Sequence, residues 1–353
     1  MADKTPLAEP DQLPGAPHPR ERDVLFGHEE AERAFLDAYG SGRLHHAWLI
    51  GGPEGIGKAT LAYRVAKFVL DRGGRTPEPV ASLDVPEGSR AARQVSVLSH
   101  PGLFVLRRVP ATEKKAASTT IPVDEVRRAL QLFGSTAADA GYRVCIVDAA
   151  DDLIPASANA LLKMVEEPPP RSLFLILSHA PQRVLPTIRS RCRKLLLRPL
   201  ADDPLARVIR SLPEPIGSAP DDALSTAIGA AEGSARRAIA LLDPERARTV
   251  QTVEGLLAAL PAIDWRKVGA LADRLARRGA EQDLELTLET VERWAISIVE
   301  TRAGEGARRL APLVEVCEKS ARAAAEADTY NLDRRPLVLT LFGDLAEAVR
   351  ATR

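Results

Sequence analysis

The stretch "GGPEGIGKAT", Gly51–Thr60, decides the fold. Gly52, Gly55 and Gly57 let backbone N–H groups turn toward phosphate oxygens, and Lys58 brings a positive charge for the β and γ phosphates to the start of a helix whose dipole favours anions. The flanks supply the context such a loop needs. "HHAWLI" before it is a short apolar strand and "KATLAYRVAKFVL" after it has helical periodicity, so the order is strand, glycine-rich turn, helix. The spacing predicts a P-loop fold; a glycine turn that serves packing alone is the other reading.

The chemistry departs from the pattern one residue later. A working loop follows its lysine with Ser or Thr, whose hydroxyl ligates Mg²⁺, but Ala59 has no oxygen to offer. Thr60 lies about 100° further round the helix, so its hydroxyl is expected to point away from the phosphates. The second half of an ATPase site is an apolar strand ending in Asp, for the metal, then Glu, to polarise the attacking water. "VCIVDAADDL" supplies Asp148 and then Ala149. Asp148 reads as a relic metal-site position or as a strand-end carboxylate capping the next turn, and Asp151 and Asp152 lie too far along to substitute. Preorganised groups of this kind each contribute on the order of 10²-fold to rate, so the loss of both leaves little hydrolysis.

Outward from the loop, near-continuous apolar stretches at "YRVCIVD" and "SLFLILS" have the character of strands buried on both faces of a parallel sheet. Helical patterns alternate with them at residues 29–39, in "PVDEVRRALQLFGS" and in "PASANALLKMVEEPPP", the last stopped by its prolines. This alternation predicts a doubly wound α/β domain over 24–198. Residues 1–23, rich in proline and polar groups, read as a disordered lead-in, and residues 71–98 as a long loop or insertion. "PATEKKAASTT" reads as a mobile loop. Strand signals fade after Pro199, leaving a small helical unit at 199–245 and a larger one at 246–353.

With 353 residues there is room for two or three cores, and 48 basic against 48 acidic residues give no bulk charge for gripping nucleic acid. Cys145, Cys192 and Cys317 are too scattered for a zinc ribbon or a disulfide framework and read as buried structural thiols. Apolar runs such as 173–177 are too short for a bilayer, and "MADKTPLAEPDQLPGAPHPRER" lacks the apolar core of a signal peptide, so a cytoplasmic protein without a membrane partner is expected.

Four motifs in order, "HHAWLIGGPEGIGKATLA", "ANALLKMVEEPPP", "LILSHAP" and "TIRSRC", resemble the bacterial clamp-loader branch of the AAA+ ATPases, the subunit family of DNA polymerase III. The resemblance is densest over 24–200, and "NLDRRPLVLTLFGDLA" is also similar. It implies an AAA+ P-loop domain with a parallel sheet, a small helical lid and an all-α collar through which five subunits assemble. It further implies that Arg191, in the "SRC" triplet Ser190 to Cys192, reaches across a subunit boundary to ATP held by a neighbour, that Ser178 is the sensor at a strand end, and that Arg236 in "GSARRA" is the lid arginine. Without the resemblance, Arg191 is one of several arginines solvating a strand end. The family usually carries four zinc-binding cysteines after the P-loop helix; the segment after "KFVL" has none, so no zinc is expected.

Motor members of the family keep both catalytic elements that this chain lacks. The expected function is therefore that of a non-hydrolysing subunit. It requires no cofactor, although weak residual ATP binding at Gly52, Gly55, Gly57, Lys58, Ala59, Thr60 and Asp148 is compatible with the loop. Its expected partners are motor subunits and a delta subunit in a hetero-pentamer and, through that complex, a sliding clamp and primed DNA. The alternatives are a working ATPase or small-molecule kinase with an unusual metal site, and a purely structural collar protein.

Overall fold

The structure, a computed structural model, describes residue 9 and residues 12–73, 80–109, 118–135, 141–330 and 332–352. The chain divides into two compact units, 1–239 and 240–353.

In the first unit, helix α1 (Glu29–Gly40) leads into β1 (Ala47–Gly51), the P-loop and α2 (Lys58–Arg72). There follow α3 (Arg90–Ser96), β2 (Leu103–Arg107), α4 (Val123–Ser135), β3 (Arg143–Asp148), α5 (Pro155–Glu166), β4 (Ser172–Ser178), α6 (Pro186–Arg189) and β5 (Arg193–Leu196). The five strands form one parallel sheet in the order β2-β3-β4-β1-β5. Strand residues alternate between two apolar layers, which is why the strand sequences are apolar without interruption. Trp48, Ile50, Ile146 and Leu175 pack under α1 and α2. Leu49, Cys145, Val147 and Phe174 pack on the other side, against α4 and α5. The doubly wound α/β expectation holds, and the sheet registers Gly51 with Ser178, so the P-loop and the end of β4 share one rim of the sheet.

Helices α7 (Asp202–Arg210), α8 (Asp221–Ala231) and α9 (Ala235–Leu241) follow β5. Residues 202–239 of this expected lid belong to the first unit. They meet the P-loop directly: the Ala235 N–H donates to Gly55 O at 2.9 Å and the Ser234 hydroxyl to Glu54 O at 3.0 Å.

Three sequence expectations need correction. Within the anticipated insertion at 71–98, residues 90–96 form α3, capped by Ser89 accepting from the Ala92 N–H, with Val95 buried in the sheet layer and the Ser89 hydroxyl donating to Asp71. Residues 74–79 lie outside the described residues, as do 110–117 of the anticipated mobile loop. The lead-in expected to be disordered is folded where it is described: Ala16 and His18 are buried, and Pro19–Glu21 makes a 3-10 turn. Ionic anchors far apart in sequence hold this segment, and its composition conceals them. Of the three thiols, Cys145 alone is fully buried, its pKa pushed up to about 12 by burial; Cys192 and Cys317 are half-buried.

The second unit consists, among the described residues, of helices α10 (Pro244–Ala258), α11 (Trp265–Leu275), α12 (Glu281–Thr301), α13 (Ala307–Tyr330) and α14 (Arg335–Ala351). Its core is aliphatic, built from Val253, Leu271, Leu275, Leu313, Leu341 and Leu345 around Phe342. No helix among the described residues is long and apolar enough to cross a membrane.

Candidate functional site

The P-loop rim encloses a cavity of about 200 Å³. Its polar wall comprises Glu54, Gly55, Gly57, Lys58, Ala59 and Thr60 from the loop and the start of α2, Asp148 and Ala149 at the end of β3, and Arg108, Asp152, His179 and Arg236. Thr60, its hydroxyl expected to turn away, lines this wall with Lys58 and Ala59, while Leu61 of the same turn packs into the core.

The glycines are there for close approach. Gly52 adopts φ +146°, and a Cβ on it would lie 2.6 Å from Leu197 O; Gly55, at φ +76°, would bring one to 2.4 Å from Ser234 Oγ and 2.5 Å from Arg236 Cβ. The loop is thus shaped as much by the helices packed on it as by any phosphate.

Lys58 is 4% exposed. Its ammonium donates to Gly52 O at 2.7 Å and Pro53 O at 2.5 Å, and lies 3.0 Å from His179 Nδ1. Since an ammonium can only donate, His179 Nδ1 accepts, and the neutral ring carries its proton on Nε2. Burial brings the Lys58 pKa down to about 8, against the pull of Glu54, Asp148 and Asp151. All three protons of the ammonium have partners within the protein.

Ser178 ends the central strand β4 opposite Gly51, as expected, but it is not among the residues that line the cavity. It is fully buried, and its hydroxyl donates to Asp151 at 3.2 Å; the same carboxylate accepts the His179 N–H at 2.8 Å and the Ala180 N–H at 3.0 Å. Asp151 therefore splints the end of β4, and the residue presented to the cavity is His179. Sequence spacing selected the last strand residue, whereas the side chain that emerges at the rim is the one after it. Arg236 is on the cavity wall, paired with Glu54 at 3.3 Å.

The fit to a metal-bound nucleotide fails on donor chemistry. Lys58 is followed by Ala59 and Asp148 by Ala149, so the two positions that the motif reserves for a Mg²⁺-binding hydroxyl and a water-orienting carboxylate carry neither, although Thr60 and Asp152 stand elsewhere on the wall. Among the described residues no group of three or more His, Cys, Asp or Glu could hold a metal ion.

Arg191 does not line this cavity. It follows α6, where Pro186 starts the helix and the chain turns into β5. Its guanidinium donates to Thr187 O at 2.9 Å and pairs with Glu166, at the end of α5, also at 2.9 Å. Both side chains are about two-fifths exposed, at 41% and 40%. Neither Glu166 nor His179 was legible as a partner from sequence, since each acquires its role from a residue on a different element.

Comparison with known proteins bears on this site. Residues 27–201 match the family described as DNA polymerase III, delta subunit. DNA polymerase III subunit delta' of Pseudomonas aeruginosa is 34% identical over 229 residues, covering 63% of this chain and 66% of that protein. Its Escherichia coli counterpart is 31% identical, covering 65% of this chain and 64% of that protein. The DNA polymerase III gamma/tau subunit of Mycobacterium bovis is 30% identical over 227 residues, covering 62% of this chain and 36% of the relative. The chain thus spans slightly under two thirds of the length of the two delta' relatives. With the parallel sheet, the P-loop and the ordered motifs already described, these matches establish that the chain belongs to the DNA polymerase III clamp-loader subunit family, within which it resembles delta-prime.

Proposed function

We propose that the chain is a non-hydrolysing clamp-loader subunit that lends Arg191 to ATP held by a neighbouring motor subunit. In this reading the helical second unit contributes to a collar joining motor subunits and a delta subunit in a hetero-pentamer, and the complex helps open a sliding clamp and place it on primed DNA in the cytoplasm. The chain needs neither zinc nor nucleotide of its own.

The observation that carries the reading is the contrast between two cations. Lys58, 4% exposed, directs its donors at Gly52, Pro53 and His179, beside alanines that can neither hold Mg²⁺ nor activate water. Arg191 stands at the surface, where, among the described residues, the exposed carboxylate of Glu166 balances it. An exposed pair of this kind is worth about 0–1 kcal/mol, so a neighbour's γ-phosphate can displace Glu166. A guanidinium supplied in trans contributes roughly 10³- to 10⁵-fold to phosphoryl transfer.

The test is phosphate release by the motor subunit mixed with this chain. Stimulation by the parent chain, lost on Arg191→Ala while the two proteins still assemble, supports the reading. Unchanged hydrolysis with the variant points instead to a purely structural collar role.

A further inference from the structure

The N-terminal segment forms part of the apolar wall of the P-loop cavity. Leu13, Ala16, Pro17 and Pro19 face the same space as Val208 and Leu212 of the lid. Small-molecule sites have volumes of about 300–1,000 Å³, and the cavity that remains, about 200 Å³, falls below that range.

The segment is fastened at both ends of its path. On the sheet side the Glu9 carboxylate accepts both terminal nitrogens of Arg20, one at 2.6 Å, and also pairs with Arg107 at the end of β2. Arg20 Nε donates to Ser96 O at 2.9 Å, and the Ser96 hydroxyl returns a bond to Arg20 O at 3.1 Å. His18, 1% exposed, packs edge-on against Tyr63 of α2 with ring centres 5.8 Å apart. On the lid side Arg22 donates to Ser211 O at 2.9 Å and to its hydroxyl. The segment therefore ties α2, α3 and β2 to the turn after α7, passing over the cavity.

We propose that residue 9 and residues 12–22 are a built-in strap that holds the lid helices against the sheet and closes the apolar end of the cavity, so that strap release, and not the P-loop, decides whether a metal-free nucleotide enters. Strap and lid together wall the apolar side of the space beside the loop. In this chain the protein's own segment does the bridging that a bound nucleotide could otherwise do. The inference goes beyond the finger reading and does not depend on it, because its readouts involve no partner.

The experiment uses the full chain with Glu9→Gln and Arg22→Ala combined, measuring equilibrium binding of ATP and of GTP in the presence of a metal chelator, together with amide hydrogen exchange at residues 202–212. Expected are at least tenfold tighter binding than in the parent and faster exchange at 202–212. Arg22→Ala alone breaks an exposed contact, leaves the Glu9 anchor in place and should give part of both effects. Equal affinity in parent and variants, including no detectable binding in any, overturns the proposal, and so does unchanged exchange at 202–212.

Discussion

His179 Nδ1 lies 3.0 Å from the buried Lys58 ammonium and accepts one of its three protons. A residue that follows a strand end thereby completes the solvation of the P-loop lysine, in place of a phosphate or a metal-bound water. Removing the acceptor leaves a buried charge short of one partner, a charge-assisted bond worth about 1.5–3 kcal/mol. His179→Ala should lower the urea midpoint of the first unit accordingly, whereas Lys58→Met, which removes the charge with the site, should cost less. Equal losses for the two variants would mean that the pair carries no such energy.

Gly55 tests how the lid is seated. Its φ of +76° and the 2.4 Å approach of a built Cβ to Ser234 Oγ leave no room for a methyl group. Gly55→Ala is expected to destabilise the first unit by about 2 kcal/mol or more and to raise hydrogen exchange at 234–238. Wild-type protection there would mean that the lid does not rest on the loop.

Much of this architecture was legible in the sequence. The runs at Arg143–Asp148 and Ser172–Ser178 are apolar on both faces and could only be central parallel strands, and the glycines at 52, 55 and 57 fixed the loop. The strap was not legible. Its anchors are single charges far apart in sequence, Glu9 with Arg107 and Arg22 with Ser211, inside a stretch whose prolines and polar residues average to a disordered composition. Helix α3 did leave a signal, Ser89 ahead of "RAAR", outweighed by the glycine and proline before it. That His179 lines the cavity while the Ser178 side chain is buried depends on how the chain leaves β4, which spacing alone cannot resolve.

His18 gives the strap a pH signature. Its charged neighbours are Arg20, Arg107 and Glu9, and burial followed by the Arg20 charge lowers its pKa from 6.5 to about 4. The unfolded chain therefore takes up this proton first as pH falls, so the stability is complete above about 6.5 and declines toward 4. Between pH 7 and pH 5 the loss should be about 2 kcal/mol, read from urea midpoints. The bond from Arg20 holds Glu9 at about 2, so its contribution is lost only below its ordinary 4.5. His18→Gln should flatten the slope between pH 7 and pH 5; a variant with the parent's slope would assign the effect elsewhere.

Glu166 separates stability from function. Its pair with Arg191 is exposed, so Glu166→Gln should change the urea midpoint by no more than about 0.5 kcal/mol. In the mixed assembly Arg191→Ala should reduce phosphate release at the site it serves by roughly 10³-fold, while Glu166→Gln leaves stimulation intact. Loss of stimulation in Glu166→Gln would mean that the carboxylate is needed to position the guanidinium.

The central claim, that this chain splits no ATP and acts through a neighbour, is tested most directly by steady-state phosphate release from the purified chain alone, with ATP and Mg²⁺, beside Lys58→Ala. The expected result is the same background rate for both proteins. Sustained release by the parent that Lys58→Ala abolishes would contradict it.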